Sequence, residues 1–492
     1  MIMTTELMMF VPELIVGVGV LLLMMVKSLR SFQSTVASGI SLCAHLFALV
    51  SLRLIDVYQL PTAFEGQFLL DAPAVFSQTI ILVVGIFMLL ALSDLIEKDG
   101  LPLIETYALY LLHTLGMLFT VMSVNWVSLF LGLECMYLPL YAAVALRAQD
   151  RIAQEAACKY IIMGAFSTGI LLVGVSFFYA VVGQLGLSDL GNISNILDGT
   201  RTLPAWLTLN QFQVLLSLGG VLITVAFCFK IGLAPFHFWV RDVYEGGAYP
   251  VVAMVAALPK LVMIIVWMRL FTPMIVMHLP HWSILVTILG LLSMFGGNLL
   301  ALAQERVRSL LAYSSIGHMG FVLLALTLVN YSGNHAALMY TLGYLLTVGV
   351  VLLVMARLSR AQTSLLLIDD LKGLSRVQPL LASLLAVSFL SLLGMPPFAG
   401  FMFKMNLLYV LMQADQAWLA LSVVAATIIG AYYYINMIGL MFFYDVELSS
   451  DQLLMRSSWL LHAGMVTFII LLIVVGLYPE YVFNRVHQAL LG

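Results

Sequence analysis

Apolar runs of about 20 residues recur along the whole chain, separated by short segments rich in charged residues, proline and glycine. A run of this length is what a helix needs to cross the hydrocarbon core of a bilayer. Within lipid only helices and closed barrels satisfy every backbone group, so each run predicts a spanning helix. The pattern predicts fourteen of them, at roughly 8–27, 33–54, 70–93, 104–122, 125–146, 156–184, 212–239, 250–273, 282–303, 308–330, 335–358, 379–411, 417–443 and 457–478.

Composition agrees with this all-α polytopic membrane architecture. Of the 492 residues 63% are hydrophobic and 9% are charged, against about 25% charged residues in soluble domains. No polar segment is long enough for a separate soluble domain, so residues 1–492 are expected to form one membrane domain. The small net charge of -3 argues against a nucleic-acid partner. Four cysteines (Cys43, Cys135, Cys158 and Cys228) form no CxxC pair, which argues against a zinc or iron–sulfur site.

Lysine and arginine alternate between the two sides of these spans. The N-terminal segment carries Glu6 and lacks the basic region and cleavage site of a signal peptide, so we expect a retained first helix. With the N-terminus outward, fourteen basic residues fall inside, four fall outside, and three lie within spans, which accounts for all 21. This bias predicts that both termini face outward.

Four charged residues lie well inside the predicted helices: Glu134, Lys230, Lys260 and Lys404. A charge at mid-bilayer costs about 2.5–3.5 kcal/mol on the insertion scale, so such residues usually serve an ion or proton path. The alternatives are a structural ion pair or a lysine that snorkels to the interface. For Lys260 and Lys404 we favour the functional interpretation; for Lys230 the structural alternative is stronger, because the helix is irregular there.

Prolines stand beside the three lysines: Pro235 after Lys230, Pro259 directly before Lys260, and Pro396 and Pro397 ahead of Lys404. Proline lacks an N–H and breaks the helix. Broken helices are tolerated at membrane depth only where protein or water satisfies the freed groups, so each lysine is predicted to border a hydrated cavity. Burial disfavours the charged form of a lysine and a nearby carboxylate restores it, so a changing Glu134–lysine distance would load and release a proton.

Two histidines join this set, with relay and structural interpretations left open for each. His237 follows Lys230 by seven residues, on the same face if the helix continued, and His318 lies in the tenth span. His113 has weaker support. His278 and His281 stand three apart without a third ligand, so no metal is expected.

Other acids are expected near helix ends. Glu105 and Glu155 open the fourth and sixth spans, where negative charge favours the helix N-terminus. Lys159 lies one turn after Glu155, a spacing that permits an ion pair. Glu13, near the start of the first span, is expected at the membrane interface.

An internal repeat divides the predicted spans. Residues 1–100 hold helices 1–3, residues 104–273 form repeat one with helices 4–8, residues 282–443 form repeat two with helices 9–13, and 457–478 is helix 14. In each repeat the fourth helix (helices 7 and 12) is discontinuous, with proline near a lysine. Five helices per unit invert the second copy relative to the first, and paired broken helices of inverted repeats point to an ion site.

Six segments, in order, resemble the antiporter-like subunit N family of NADH-quinone oxidoreductase, respiratory complex I: LFLGLECMYLPLY (129–141), EAACKYIIMGAFS (155–167), FKIGLAPFHFWVRDVYEGGAYPV (229–251), AYSSIGHMGF (312–321), DDLKGL (369–374) and GMPPFAGFMFK (394–404). DVYEG favours the N type over the L and M types, and a lysine at position 404 argues against the M type. The resemblance covers about residues 100–440.

The resemblance implies a proton-translocating subunit of the enzyme that couples electron transfer from NADH to quinone to proton pumping. Glu134 would be the acid of the fifth helix, Lys230 its partner, Lys260 the central lysine and Lys404 the terminal one. NADH, FMN, iron–sulfur clusters and quinone would be bound by partner subunits, with no redox centre in this chain. Expected partners are the L/M-type antiporter-like subunits and small K/J/A/H-type subunits, in a bacterial plasma (inner) membrane rather than a chloroplast thylakoid.

The chain departs from the family pattern at a few positions. Arg241 replaces a proline, Gly247 and Ala248 replace Ala-Pro, Ser309 takes the place of a basic residue, and Asn436 that of an arginine. Two other functions remain open from the sequence. One is a subunit of a multi-subunit Na+/H+ antiporter or a membrane-bound hydrogenase, which share the fold; the other is a structural membrane scaffold.

Overall fold

The structure is a computed structural model that describes residues 2–27, 33–55, 62–187, 208–271, 276, 279, 281–358, 367–445 and 459–491. The basic loop residues Arg30, Arg201, Arg360 and Arg456, and His278, lie outside these ranges. The first half holds the helices α1 Ile2–Met9, α2 Val11–Val26, α3 Gln33–Leu54, α4 Ala72–Lys98, α5 Leu103–Met122, α6 Trp126–Val144, α7 Arg151–Val182, α8 Leu209–Ile231, α9 Phe238–Gly246, α10 Tyr249–Ala256 and α11 Leu258–Leu270.

The second half is equally helical. It comprises α12 Trp282–Leu302, α13 Val307–Leu326, α14 Tyr331–Leu358, a 3-10 turn at Asp369–Leu371, α15 Leu374–Val377, α16 Pro379–Leu393, α17 Ala399–Gln413, α18 Ala417–Phe443, α19 Trp459–Leu477 and α20 Pro479–Leu491. The predicted all-α class is therefore confirmed. A short antiparallel hairpin, β1 Thr62–Ala63 and β2 Phe68–Leu69, is the one sheet among the described residues.

Eleven spans in the described part are long and apolar enough to cross a membrane, or twelve if the bent pair α19 and α20 counts as one. Two predicted spans fall on shorter helices: the first on α2, and the twelfth on α16 and α17. The count of fourteen, and the division into two inverted repeats, stay predictions.

Helices α6, α7 and α8 each begin at a polar residue whose side chain accepts from the first turn. Asn125 accepts from the backbone of Val127, Asp150 from Ile152, and Thr208 forms a capping box with Gln211. Such caps stabilise a helix by about 0.5–2 kcal/mol and fix where it starts. The caps therefore set the register of the three helices that carry Glu134, Thr168 and Lys230.

The helices break near the positions that were predicted from the prolines in the sequence. Helix α8 ends at Gly232 (φ 82°) and α16 at Gly394 (φ 87°), both in the left-handed conformation that only glycine adopts readily. A third break, at Ala257, separates α10 from α11 just before Pro259. The discontinuities predicted in the seventh and twelfth spans are thus confirmed.

The most enclosed helices lie at the centre of the bundle. In the apolar stretch of three spans, 94% of the residues are buried: Tyr249–Leu270, Val307–Leu326 and Tyr331–Leu358. In Arg151–Val182 the share is 28%. Helix α14 packs against α10, α11, α13, α16, α17 and α19. Polar side chains on α11, α13 and α14 are therefore shielded by protein from lipid.

Helix α20 was not predicted from the sequence. It begins at Pro479 and turns by 87° from α19, packing against α4 and α14. Its mixed polar and apolar composition is typical of a helix that lies along a membrane surface rather than across it.

Candidate functional site

The first buried charges meet where α6, α7 and α8 pack together. Lys230 Nζ lies 3.8 Å from Glu134 Oε1. The hydroxyl of Thr168 stands between them: it donates to Glu134 Oε1 (2.7 Å) and accepts from Lys230 Nζ (3.1 Å). The lysine side chain is 2% exposed and the glutamate 22%. The two charges are thus joined by one hydroxyl that can accept a proton from one side and donate to the other.

The broken end of α8 is satisfied by aromatic donors. Tyr137 Oη donates to the carbonyl of Lys230 (3.2 Å), and Trp239 Nε1 donates to the carbonyl of Phe229 (2.9 Å). The Lys230 ammonium also lies 4.5 Å from the centre of the Tyr137 ring, a cation–π contact. Because side chains cap the freed carbonyls, the ammonium itself stays available to Thr168 and Glu134.

Lys260 lies in the first turn of α11 and is 6% exposed. Its ammonium donates to the hydroxyls of Ser315 on α13 and Tyr344 on α14, the latter at 3.2 Å, and lies 4.8 Å from the Tyr344 ring centre. Tyr244 on α9 donates to the same serine (3.4 Å). Among the described residues no carboxylate pairs with Lys260, so neutral oxygens alone surround it.

His318 lies on α13 between two tyrosine hydroxyls. Its Nδ1 is 2.9 Å from Tyr340 Oη and its Nε2 is 3.1 Å from Tyr434 Oη, and Tyr434 also bonds Ser314. The His318 and Tyr344 rings lie 5.4 Å apart. His318 therefore follows directly on the group around Lys260.

Lys404, on α17, binds the end of the preceding half-helix. Its ammonium donates to the carbonyls of Leu392 and Leu393, both at 2.8 Å, at the C-terminus of α16. A cation is favoured there because the last carbonyls of a helix carry partial negative charge. The ammonium also lies 5.4 Å from the ring centre of Phe321.

Small cavities lie beside two of these lysines. One of about 10 Å³ lies between His318 and Lys404, lined also by Tyr340, Tyr344 and Ser391. Another of about 10 Å³ borders Lys230. About 10–15 Å³ of such space is what one water molecule needs. The predicted hydration beside the lysines therefore has room for single waters, with polar groups that could bind them.

The structure does not bring every predicted residue into this row. His237 caps α9 rather than extending α8, because the chain turns at Gly232; its ring lies 6.1 Å from that of Tyr313 and makes no hydrogen bond to a lysine in the described part. Because α8 ends before His237, the two residues do not share a helix face, and a relay role for His237 stays a prediction. Glu155 pairs with Lys159 (2.7 Å), as predicted, but the cap of α7 is Asp150 and not Glu155. Both lie outside the buried row.

Glu105 and Glu13 likewise have specific partners. Glu105 pairs with Lys27 across α5 and α2 (2.9 Å). Glu13 is 1% exposed and accepts from Gln78 Nε2 at 2.6 Å; its expected position at the membrane interface stays a prediction. Nearby, Phe10 at the start of α2 packs against Phe64 and Phe68 of the β1–β2 hairpin.

The departures from the family pattern compensate one another. Glu245, in α9, bonds Ser309 and pairs with Arg241 and Arg306, both at 3.1 Å. Arg241 thus supplies a charge where Ser309 lacks one. Burial raises the pKa of Glu245, but the Ser309 hydrogen bond and the two guanidinium groups lower it by a larger amount. The pKa of Glu245 therefore lies below its ordinary value.

Sequence reasoning missed the hydroxyl groups. Thr168, Ser315, Tyr340, Tyr344 and Tyr434 contact the predicted residues but carry no charge, so their burial has no signal like that of a lysine. Their helical spacing is the one available cue: Ser315 and His318 are three residues apart, and Tyr340 and Tyr344 on α14 are four residues apart. Such neighbours share a helix face.

Comparison with known proteins adds to this geometry. The family model described as NADH:quinone oxidoreductase/Mrp antiporter, TM matches residues 123–430. NADH-quinone oxidoreductase subunit N of Hydrogenovibrio crunogenus is 32% identical over 489 residues, covering 98% of this chain and 99% of the relative.

Two solved structures share the fold. A chain of respiratory complex I from Thermus thermophilus with bound aureothin superposes with a TM-score of 0.78 at 28% identity, covering 96% of this chain and 98% of that chain. A chain of the Mrp complex from Dietzia sp. DQ12-45-1b gives a TM-score of 0.80 at 19% identity, covering 100% and 97%. The second likeness concerns the fold alone.

Proposed function

We propose, because this chain belongs to the family of NADH-quinone oxidoreductase subunit N, that it moves protons across the membrane through its buried lysines. As a member of that family it is an antiporter-like subunit of the membrane arm of complex I. The observation that carries the proposal is the Glu134–Thr168–Lys230 contact, in which a carboxylate and an ammonium share one hydroxyl. An ion pair of this kind can be formed or broken by small helix movements.

Each lysine has a distinct role in this proposal. Lys230 exchanges its proton with Glu134 through Thr168, because the hydroxyl bonds both groups. Lys260 passes charge through Ser315 and Tyr344 to His318, which lies against Tyr344. Lys404 is the terminal carrier, separated from His318 by a cavity with room for one water. The link between Lys230 and Lys260 has no direct hydrogen bond among the described residues and is completed by water or by movement.

The surroundings of the subunit are part of the proposal. NADH, FMN, iron–sulfur clusters and quinone are bound by partner subunits, and the neighbours in the membrane arm are the L/M-type and small K/J/A/H-type subunits. The subunit lies in a bacterial inner membrane, and the distribution of basic residues supports an orientation with both termini on the outer side. The similarity to a subunit N of NADH-quinone oxidoreductase and the likeness to a complex I chain support this assignment.

The test is purification of the native complex followed by pumping measurements. Co-purification with flavin and iron–sulfur subunits is expected; co-purification with other antiporter subunits only would favour the Na+/H+ antiporter instead. In the assembled complex, Lys404→Ala and Glu134→Ala are expected to lower proton uptake per electron. The exposed Lys159→Ala serves as the matched control. Undiminished pumping in both core variants would leave the scaffold role as the better account.

A further inference from the structure

A second group of buried polar side chains lies among α2, α3, α4 and α5, apart from the lysine row. Glu13 on α2 is 1% exposed, and Gln78 on α4 and His45 on α3 are 0% exposed. His113 and Thr114 on α5 are each 1% exposed. Isolated titratable groups are rare in such positions, because burial without a partner is costly.

The Glu13 carboxyl has one strong partner. Gln78 Nε2 donates to Glu13 Oε1 (2.6 Å) and reaches the carbonyl of Leu118 at 3.4 Å. The remaining oxygens, Glu13 Oε2 and Gln78 Oε1, have no hydrogen-bond partner among the described residues. No lysine, arginine or histidine in the described part forms an ion pair with Glu13.

Two features of this position are unfavourable for an ionised Glu13: within the described part of the chain its charge has no cationic partner, and two neighbouring oxygens lack hydrogen-bond donors. Protonation of the carboxyl reduces both. The added proton removes an uncompensated charge and turns one of two unsatisfied acceptors into a donor. Of the elements around it, α4 contributes the Gln78 amide and α5 the Leu118 carbonyl to which the same amide reaches. The chemistry is that of a carboxylic acid in an apolar pocket.

Helix α5, whose Leu118 carbonyl lies within reach of Gln78, also carries two buried polar side chains, His113 and Thr114. Thr114 lies one turn before Leu118, and its hydroxyl is 3.5 Å from His45 Nε2. The adjacent His113 places Nδ1 2.8 Å from the carbonyl of Met136, two residues after Glu134. Since a carbonyl only accepts, His113 Nδ1 carries the hydrogen, which leaves Nε2 as a base.

We infer that Glu13, held by Gln78, is a proton-binding site of this subunit outside the lysine row, buried between α2 and α4. This inference rests on the proposed function and extends it. Glu13 gains or loses its proton during turnover.

The test is infrared difference spectroscopy of the assembled complex in its membrane, comparing resting and NADH-driven states. A protonated carboxyl has a C=O stretch distinct from that of a carboxylate, and the band shifts in deuterium oxide. The native complex is expected to show this band, Glu13→Gln to lose it, and the control Glu6→Gln to retain it. Gln78→Leu removes the amide donor and is expected to shift the band rather than abolish it.

Identical bands in the native complex and Glu13→Gln would overturn the inference, as would a band that depends on sodium rather than on deuterium. Should Glu13→Gln fail to assemble, an unshifted band in Gln78→Leu would also overturn it. Proton pumping in Lys404→Ala separates the two proposals. If Lys404→Ala has lost pumping while the infrared spectra of Glu13→Gln match those of the native complex, only the proposed Glu13 site is rejected.

Discussion

Thr168→Val tests whether the hydroxyl between Glu134 and Lys230 carries the proton. Valine has nearly the shape of threonine but neither donates nor accepts, so the change removes the two hydrogen bonds of 2.7 Å and 3.1 Å and leaves the direct 3.8 Å ion pair. A hydrogen bond to a charged group contributes about 1.5–3 kcal/mol. If one such bond is lost from the transfer barrier, transfer slows by about 10- to 100-fold.

The assay is proton uptake per electron in proteoliposomes that contain the assembled complex. Thr168→Ser keeps the hydroxyl and is expected to pump like the native protein. Thr287→Val makes the same chemical change on exposed α12, where the hydroxyl bonds only its own helix, and controls for membrane effects. If Thr168→Val pumps at the native rate, the proton crosses the direct ion pair or water, and the bridging role of the hydroxyl is refuted.

Three further predictions follow from the geometry. Lys404→Arg keeps a cation at the end of α16, but arginine cannot release a proton. The complex is therefore expected to assemble with an unchanged melting temperature and to lose pumping. Lys404→Met removes the cation as well, and is expected to lose pumping and to destabilise the fold by about 1.5–3 kcal/mol. His318→Phe keeps the ring but loses both tyrosine contacts, and a drop in proton uptake of about tenfold or more is expected, with assembly checked by native gel. Burial raises the pKa of Glu245, but its hydrogen bond and guanidinium partners lower it by more, to below the ordinary 4.5. The ionised carboxylate therefore stabilises the fold at pH values above 4.5. This stabilisation is lost as the pH falls through the pKa of Glu245 in the folded protein. Glu245→Gln should therefore melt earlier than the native protein at neutral pH, with a difference that shrinks in acid.

The sequence predicted the broken helices because proline acts locally. Pro235, Pro259 and Pro397 each remove a backbone donor, and the breaks at Gly232, Ala257 and Gly394 followed. A lysine inside an apolar span can be recognised in the same way, because the free-energy cost of placing its charge in the membrane is high whichever helix packs against it. These signals need no knowledge of tertiary packing.

Partner identity needs the packing itself. Thr168 is 34 residues from Glu134 and 62 from Lys230, and a threonine in an apolar helix usually bonds its own backbone. Nothing in its neighbourhood distinguishes it from Thr79, which does that. The burial of Glu13 was equally hidden in the sequence, because its partner Gln78 lies 65 residues further along. Distances across the bundle decided both cases.

The two lysines at matching breaks use their freed carbonyls in opposite ways. At the end of α8 the carbonyls of Phe229 and Lys230 accept from Trp239 and Tyr137, so the Lys230 ammonium is left to Glu134 and Thr168. At the end of α16 the carbonyls accept from Lys404 itself. Loss of the Lys230 proton therefore leaves the backbone hydrogen bonds at the end of α8 in place, whereas deprotonation of Lys404 removes a positive charge from two carbonyls at once. The Glu134–Lys230 pair can exchange a proton at low cost to the backbone, and Lys404 requires a proton acceptor, such as water in the adjoining cavity, when it releases its proton.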